Sequence, residues 1–252
     1  MDFQGKRVLV TGGARGIGKA IARGFAERGA KVMVSYHSNH EAAKETLDGL
    51  AGEGHSSFAG DIAQPEVAKA LIETTQVDLG GLDILVNNAG IFEEHPVDSC
   101  GFESWQAAWQ KTLGINLLAA ANLCYLSAQI MMGQGGGRIV NVSSRGAFRG
   151  EPESPAYGAS KAGLNAMSQS LAQKLAPHKI YVGVVAPGFV ETDMAFEHLK
   201  GERGEAIRSQ SPLKRVATPE EVAYAVMFLA SEGAEFSTGA IIDVNGASYL
   251  RS

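Results

Sequence analysis

The chain has 252 residues, 45% of them hydrophobic, with 22 lysines and arginines against 27 aspartates and glutamates and a net charge of −5. The acidic balance argues against a nucleic-acid partner, and a chain of this length can bury the core of one α/β domain spanning residues 1–252. Because it has only two cysteines and its apolar runs are far shorter than the ~18 residues of a membrane span, we expect a cytoplasmic protein with no disulfide, metal or membrane partner.

Short apolar runs alternate with longer helix-like segments along the whole chain. The runs predict strands near 7–11, 31–35, 56–60, 83–87, 138–142, 180–185 and 240–244, with the longest helices near 104–133 and 157–176. Such alternation predicts a doubly wound parallel sheet with helices on both faces and, from the handedness of its crossovers, the strand order 3-2-1-4-5-6-7. A looser stretch at 189–212 predicts a lid over a site at the carboxyl ends of the strands.

The first strand is followed by a glycine turn, "TGGARGIG", that opens a helix. Gly12, Gly16 and Gly18 remove side chains where the backbone turns tightly, and free amides at the helix start attract a pyrophosphate, which indicates a dinucleotide cofactor. The same letters match a nucleotide-binding P-loop up to Ala20, where that motif needs a serine or threonine for magnesium. A P-loop protein is therefore the weaker alternative.

The end of the second strand bears on the choice of cofactor. Enzymes that use NAD usually place a carboxylate here, about 20 residues beyond the glycine turn, to bind the ribose hydroxyls. Tyr36 occupies that position, His37 and Ser38 follow it, and Arg15 in the glycine turn can reach a 2′-phosphate. The sequence therefore favours NADP, with NAD also possible.

The stretch "PAYGASKAG" places Tyr157 four residues before Lys161, on one face of a helix. A hydride that reaches a carbonyl carbon leaves an alkoxide, which a nearby phenol can protonate. An ammonium about 4 Å away would lower the pKa of the phenol by roughly three units, toward neutrality. Ser144 would donate a hydrogen bond to the same substrate oxygen.

Six motifs in order resemble the short-chain dehydrogenase/reductase family, in its 3-oxoacyl-[acyl-carrier-protein] reductase-like branch, over nearly the entire chain. They are "TGGARGIG", "NNAG", "GINL", "NVSS", "YGASK" and "PGFVET". The resemblance implies NAD(P)-dependent hydride transfer at a carbonyl or alcohol carbon and a homotetramer. It also implies a catalytic set of Asn116, Ser144, Tyr157 and Lys161, with Ser144 chosen over Ser143 because the family serine precedes the tyrosine by 13 residues.

The resemblance also implies a cofactor-binding set, with Asp61 against adenine and Lys161 on the nicotinamide ribose. Its members are Gly12, Arg15, Gly16, Ile17, Gly18, Tyr36, His37, Ser38, Asp61, Ile62, Asn88, Ala89, Gly90, Tyr157, Lys161, Pro187, Gly188, Val190 and Thr192. Plainer interpretations stay open for several of these positions and for one catalytic residue: Arg15 can face solvent and His37 can simply end a strand. Asp61 can cap the helix that begins near residue 64, Asn88 and Gly90 can form a strand-end turn, and Asn116 can be a satisfied core amide.

We expect a small carbonyl or alcohol substrate, contacted by Ser144 and Tyr157, and a free small alcohol, ketone, sugar or steroid-like compound all stay open. Glu93 and Glu94 after "NNAG" disfavour an acidic acyl-carrier protein as partner. Arg145 and Arg149 favour an anionic group, but glutamates follow them at positions 151 and 153. A dinucleotide-sensing regulatory protein without turnover has the same fold, although it has no need of all four catalytic residues.

Overall fold

The computed structural model describes residues 1–192 and 199–251, and its strands follow the predicted alternation. In that part of the chain they are β1 (Arg7–Thr11), β2 (Lys31–Tyr36), β3 (Ser56–Ala59), β4 (Ile84–Asn87), β5 (Gly137–Val142), β6 (Ile180–Pro187) and β7 (Ile241–Val244). All neighbours pair in parallel in the order β3-β2-β1-β4-β5-β6-β7. The predicted fold class is confirmed.

Helices cover both faces of this sheet. They are α1 (Gly16–Ala26), α2 (His40–Asp48), α3 (Pro65–Leu79), α4 (Phe102–Leu113), α5 (Ala119–Gln134), α6 (Gly146–Arg149), α7 (Pro155–Leu175), α8 (Gly201–Ser209) and α9 (Pro219–Ala230). In β1, Val8 and Val10 pack into the core beneath α1 and α9, and Leu9 packs into the opposite core beneath α3 and α5. Side chains alternate across a strand, so a strand covered on both faces has to be apolar at every position.

The long helix predicted near 104–133 is interrupted. A π-helical turn at Gly114–Leu118 separates α4 from α5 and holds Asn116, which is buried. A π turn accommodates one extra residue per turn, and such turns are often found at functional sites. Here it turns a polar amide toward the carboxyl ends of the strands.

The segment from Phe102 to Gln134 is long and apolar enough to span a membrane when only length and composition are considered. It covers 33 residues, and the mean hydropathy of its most apolar stretch is 1.4. One such helix among the described residues is weak evidence for a membrane span, because core helices pass the same test. Seven residues of α5, including Leu123 and Met131, are buried in this protein.

The region predicted to form a lid, 189–212, is described in part. Residues 189–192 leave β6, and Val190 forms a bridge with Ala217. The helix α8 follows at Gly201–Ser209, while residues 193–198 lie outside the described part of the chain. Residues of α8 form one wall of the cavity described next.

Candidate active site

A cavity of about 1480 Å³ lies along the carboxyl ends of the strands, where the alternation of strands and helices places a site. Asn116 does not line this cavity, although it lies directly behind it. All the other predicted site residues do, namely Gly12, Arg15, Gly16, Ile17, Gly18, Tyr36, His37, Ser38, Asp61, Ile62, Asn88, Ala89, Gly90, Ser144, Tyr157, Lys161, Pro187, Gly188, Val190 and Thr192.

The glycine turn leaves no room for side chains. Gly12 has a φ of +62°, and a Cβ on Gly18 would lie 2.2 Å from the carbonyl oxygen of Gly12. The side-chain nitrogen of Asn88, just after the neighbouring strand, donates to the carbonyl oxygens of Thr11 at 2.9 Å and Gly12 at 3.2 Å. Asn88 is thus more than a strand-end turn, because it holds the glycine turn in place.

The start of α1 offers its backbone amides to the cavity. No side chain caps this helix, and its first turn holds no acidic residue. Unpaired amides and the positive end of the helix dipole suit a pyrophosphate. Lys19, which would be the P-loop lysine, forms an ion pair with Glu45 on α2 at 2.6 Å.

The far end of the cavity lies at the end of β2. The Tyr36 hydroxyl is 2.9 Å from Nδ1 of His40, and Asn39 caps α2 by accepting a hydrogen bond from the Ala42 amide at 3.0 Å. His37 and Ser38 are exposed beside them. The β2-end residues that line the cavity include no carboxylate.

Asp61 and Ile62 line the cavity just beyond β3. One carboxylate oxygen of Asp61 accepts a hydrogen bond from the Ala63 amide at 3.1 Å, which closes a tight turn. The cap residue of α3 is Gln64, so the interpretation of Asp61 as the cap of that helix is wrong.

Ser144, Tyr157 and Lys161 meet at the other end of the cavity. Ser144 lies close enough to the Tyr157 hydroxyl to act against the rise that burial causes in its pKa, and the Lys161 ammonium donates to the carbonyl oxygen of Val142 at 2.9 Å. Ser143 instead donates to the Lys161 carbonyl oxygen at 3.3 Å. The serine that faces the tyrosine is therefore the one selected by its spacing of 13 residues.

The pKa of Tyr157 departs from expectation in this structure. Burial raises it, the hydrogen bond from Ser144 opposes that rise, and the nearby charge of Glu151 adds to it. The expected lowering by Lys161 is absent: the ammonium lies 5.8 Å from the centre of the phenol ring and faces Val142. Burial also lowers the pKa of Lys161 to about 8.

Asn116 supports the loop that follows β4. Its carboxamide oxygen accepts from the Ile91 amide at 2.8 Å, and its nitrogen donates to the Ile91 carbonyl at 3.0 Å and to Ser160 Oγ at 3.2 Å. A Cβ on Gly90 would lie 3.3 Å from both the Asn116 oxygen and the Lys161 nitrogen. The two polar groups therefore converge on one point of the backbone, where only glycine fits easily.

The family comparison agrees with this geometry. A family model described as enoyl-(acyl carrier protein) reductase matches residues 12–247. The chain is 38% identical to the 3-oxoacyl-[acyl-carrier-protein] reductase of Vibrio cholerae, covering 99% of this chain and 100% of that relative. It is 39% identical to nodulation protein G of a Rhizobium species, covering 97% of each chain.

A solved structure agrees as well. The crystal structure of a "putative short-chain alcohol dehydrogenase" from Sinorhizobium meliloti 1021 has a TM-score of 0.89 and 33% identity, covering 98% of this chain and 97% of that one. The chain belongs to the short-chain dehydrogenase/reductase family. Membership in this family of oxidoreductases removes the P-loop alternative. The relatives carry different names, so membership alone leaves the substrate of this dehydrogenase/reductase open.

Sequence reasoning missed two residues of this dehydrogenase/reductase site. The ring of Phe92 packs edge-on against Tyr157, with 5.0 Å between ring centres. His95 is buried, its Nε2 accepts from the Ala156 amide at 3.2 Å, and its Nδ1 donates to the Glu93 carbonyl oxygen at 2.8 Å. His95 thereby holds the first turn of α7. The two partners are 61 residues apart, and no local sequence signal reveals the contact.

The buried ammonium of Lys161 predicts a pH effect on stability. Its pKa falls from 10.5 to about 8 on folding, so between these values only the unfolded chain holds the proton. Stability should therefore rise from pH 8 toward 10.5, and below pH 8 the buried charge opposes folding. Relative to Lys161→Met, we expect wild type to gain at most about 3 kcal/mol over this window.

Urea unfolding of both proteins at several pH values between 7 and 10 measures this difference. Burial raises the pKa of Cys124 to about 12, but that contribution is common to both proteins and cancels. Parallel curves for the two proteins would contradict the prediction.

Proposed function

We propose that this chain is an NADPH-preferring reductase that transfers hydride between the nicotinamide and a carbonyl or secondary alcohol, with Tyr157 as general acid and base. One observation carries the proposal. Ser144, Tyr157 and Lys161 converge in the same cavity that is also lined, at a helix start, by a turn whose Gly12, Gly16 and Gly18 carry no side chains.

Tyr157 protonates the substrate oxygen as negative charge develops on it. Its raised pKa keeps the phenol protonated at neutral pH, which suits the reducing direction. Ser144 lies within hydrogen-bonding reach of the same hydroxyl and stabilises the developing charge with its own O–H. A bound nicotinamide would supply the hydride in reduction and accept it in oxidation.

Lys161 returns the proton to the tyrosine. With a pKa of about 8, its side chain exchanges protons readily near neutral pH. Asn116 holds the loop after β4 through the Ile91 amide. Its carboxamide oxygen and the Lys161 nitrogen both approach Gly90. This supports the role that the family assigns to Asn116, which is to hold a water in a relay from Lys161.

The remaining predicted residues hold the cofactor. The turn at Gly12, Gly16 and Gly18 would hold the pyrophosphate, Asp61 and Ile62 would contact the adenine, and the segment from Pro187 to Thr192 would contact the nicotinamide. A Cβ on Gly16 would lie 3.3 Å from the Thr192 side chain, so the segment after β6 closes directly over the turn.

The proposed cofactor preference can be tested at Tyr36. We expect wild type to favour NADPH over NADH by at least tenfold in kcat/KM, about 1.4 kcal/mol. Tyr36→Asp should erase or reverse this preference, because a carboxylate there repels a 2′-phosphate and accepts from ribose hydroxyls. Steady-state kinetics with both cofactors measures the effect.

Tyr36→Phe is the matched control. It keeps the ring and loses only the hydroxyl beside His40, so the preference for NADPH should survive. A wild-type preference for NADH would contradict the proposal.

The substrate is a small carbonyl or alcohol compound held between Ser144, Phe92 and α8. Ala206 and Ile207 of α8 and Gln210 just after it line the cavity, which supports α8 as part of a lid. The Vibrio cholerae relative is named for 3-oxoacyl groups on acyl-carrier protein. Glu94 at the cavity of this chain disfavours so acidic a partner.

We further propose a single domain over residues 1–252, a cytoplasmic location and a homotetramer. Leu118 and Tyr125 are 56% and 65% exposed on the helix that carries Asn116, and such apolar groups suit a subunit contact. Light scattering should give about four times the 26.5 kDa chain mass.

A dinucleotide-sensing regulatory protein is the second candidate. A panel of ketones, oxo acids and sugars with NADPH separates the two functions. We expect turnover of at least one class, and a complete lack of turnover despite NADPH binding would favour the sensor.

A further inference from the structure

Arg145 follows Ser144 directly and lies at the substrate end of the cavity. Its exposed fraction is 4%, and it lines both the main cavity and a neighbouring one of about 170 Å³. A guanidinium stays charged in proteins, and arginine is almost never fully buried unless it is paired. Its partners therefore decide what it does.

The side chains that hydrogen-bond to or stack on the Arg145 guanidinium within the described chain are uncharged. One nitrogen donates to Ser248 Oγ at 2.7 Å, and the guanidinium carbon lies 5.5 Å from the centre of the Phe189 ring. None of the ion pairs formed among residues 1–192 and 199–251 includes it. A guanidinium carries five N–H donors, so most of its binding capacity is unused.

The carboxylates that line the same two cavities do not neutralise this charge. Glu94, Glu221 and Asp243 each pair with another arginine, at 3.5, 2.7 and 2.7 Å. Glu151 is the exception, since burial lowers the pKa of Arg145 and the nearby charge of Glu151 acts to raise it, but the two form no ion pair among the described residues. The remaining lining glutamate, at position 153, is exposed to solvent.

We propose that Arg145 binds a carboxylate of the substrate, which makes the substrate an oxo acid in reduction and a hydroxy acid in oxidation. The proposal rests on the function proposed above, in which Tyr157 and Ser144, the residue before Arg145, hold the reacting oxygen in the same cavity. In reduction the carbonyl carbon takes the hydride from the reduced nicotinamide, the oxygen takes the proton of Tyr157, and the carboxylate is unchanged.

A carboxylate fits this position better than a phosphate. Its planar pair of oxygens matches the guanidinium fork, and its single charge balances one arginine. A phosphate dianion would leave an excess negative charge beside Glu151. The exposed Arg149 at the cavity mouth has its nearest polar contact with Gln210, at 3.5 Å, and does not complete a second buried cation.

The direct test is binding of butyrate and of butyramide, its neutral analogue of similar size, to the NADPH complex by calorimetry. We expect wild type to bind butyrate at least tenfold more tightly than butyramide, because hydrogen bonds between two charged groups are stronger than those to a neutral amide. Arg145→Met should remove this difference and Arg145→Lys should retain part of it. Arg23→Met, the same change at an exposed arginine that lines neither cavity, should leave it intact.

Thermal unfolding separates binding from a structural role. Replacing a buried unpaired charge with an apolar side chain of similar length should leave the unfolding temperature unchanged or raise it. Equal binding of butyrate and butyramide to wild type would overturn the proposal. So would an Arg145→Lys protein that binds butyrate as wild type does while Arg145→Met no longer folds.

Turnover of acetoacetate and of methyl acetoacetate with NADPH separates this inference from the proposed function. We expect wild type to favour the acid and Arg145→Met to lose that preference while the ester rate stays within about threefold. If Arg145-dependent butyrate binding occurs without turnover of either compound, the inference stands and the reductase function fails. If both compounds are reduced equally by wild type and Arg145→Met, the function stands and the inference fails.

Discussion

Tyr157→Phe should lower kcat by about 10²- to 10⁴-fold, the usual range for loss of a general acid or base. The ring stays packed against Phe92, and only the hydroxyl that bonds to Ser144 is lost. We therefore expect NADPH binding to change little. Cofactor fluorescence measures the binding, and steady-state kinetics on a verified carbonyl substrate measures kcat.

Tyr125→Phe is the matched control, since it makes the same change on the exposed face of α5. It should leave kcat and cofactor binding unaltered. Near-native turnover by Tyr157→Phe would require another acid and would end the mechanism proposed here.

Gly18→Ala should remove most of the cofactor affinity. The new Cβ would lie 2.2 Å from the Gly12 carbonyl oxygen and 2.6 Å from the side-chain nitrogen of Asn88, so the backbone of the turn has to shift. Overpacking at such a site costs about 1–3 kcal/mol, and a shift in the pyrophosphate cradle adds to it, so we expect NADPH to bind on the order of 10²-fold more weakly.

Gly133→Ala provides the comparison, because a Cβ there meets nothing within 4 Å on the exposed side of α5. It should keep cofactor affinity and be neutral or stabilising by up to about 1 kcal/mol. Calorimetric titration with NADPH, run well below the unfolding temperature of each variant, measures the cofactor affinity of both variants. Thermal unfolding measures their stability. Wild-type affinity in Gly18→Ala would show that this turn does not hold the cofactor.

The sheet could be predicted because the sequence pattern that marks each strand lies within the strand itself and the residues next to it. Each strand is an apolar run that ends in a glycine or small polar residue, and the handedness of crossovers then leaves few orders. The cavity was predictable for the same reason, since Gly12 directly follows a strand, Tyr36 ends one, and Ser144 lies two residues beyond the end of another. Their assembly needs only the rule that parallel strands end at one edge.

What could not be predicted depends on groups that meet from distant parts of the chain. The spacing of Tyr157 and Lys161 places them on one helix face, but the ammonium donates to the Val142 carbonyl oxygen. Burial rather than the lysine charge therefore has the largest effect on the pKa of the phenol. His95 reaches α7 across 61 residues. The burial of Arg145 follows from Phe189 and Ser248, which pack around it from elements after β6.

The π turn at Gly114–Leu118 also sets the phase of the helix that follows it. Each residue added to or removed from a helix rotates everything beyond it by about 100° and moves it by 1.5 Å. Because the π turn holds one residue more than an α-helical turn, deleting one residue here would restore a continuous α-helix, keep Tyr125 on the outer side of α5, and remove the turn that brings Asn116 to Ile91. An insertion would instead rotate the outer side of α5, so the interior of the site and the outer surface of the protein are tied to the length of one five-residue segment.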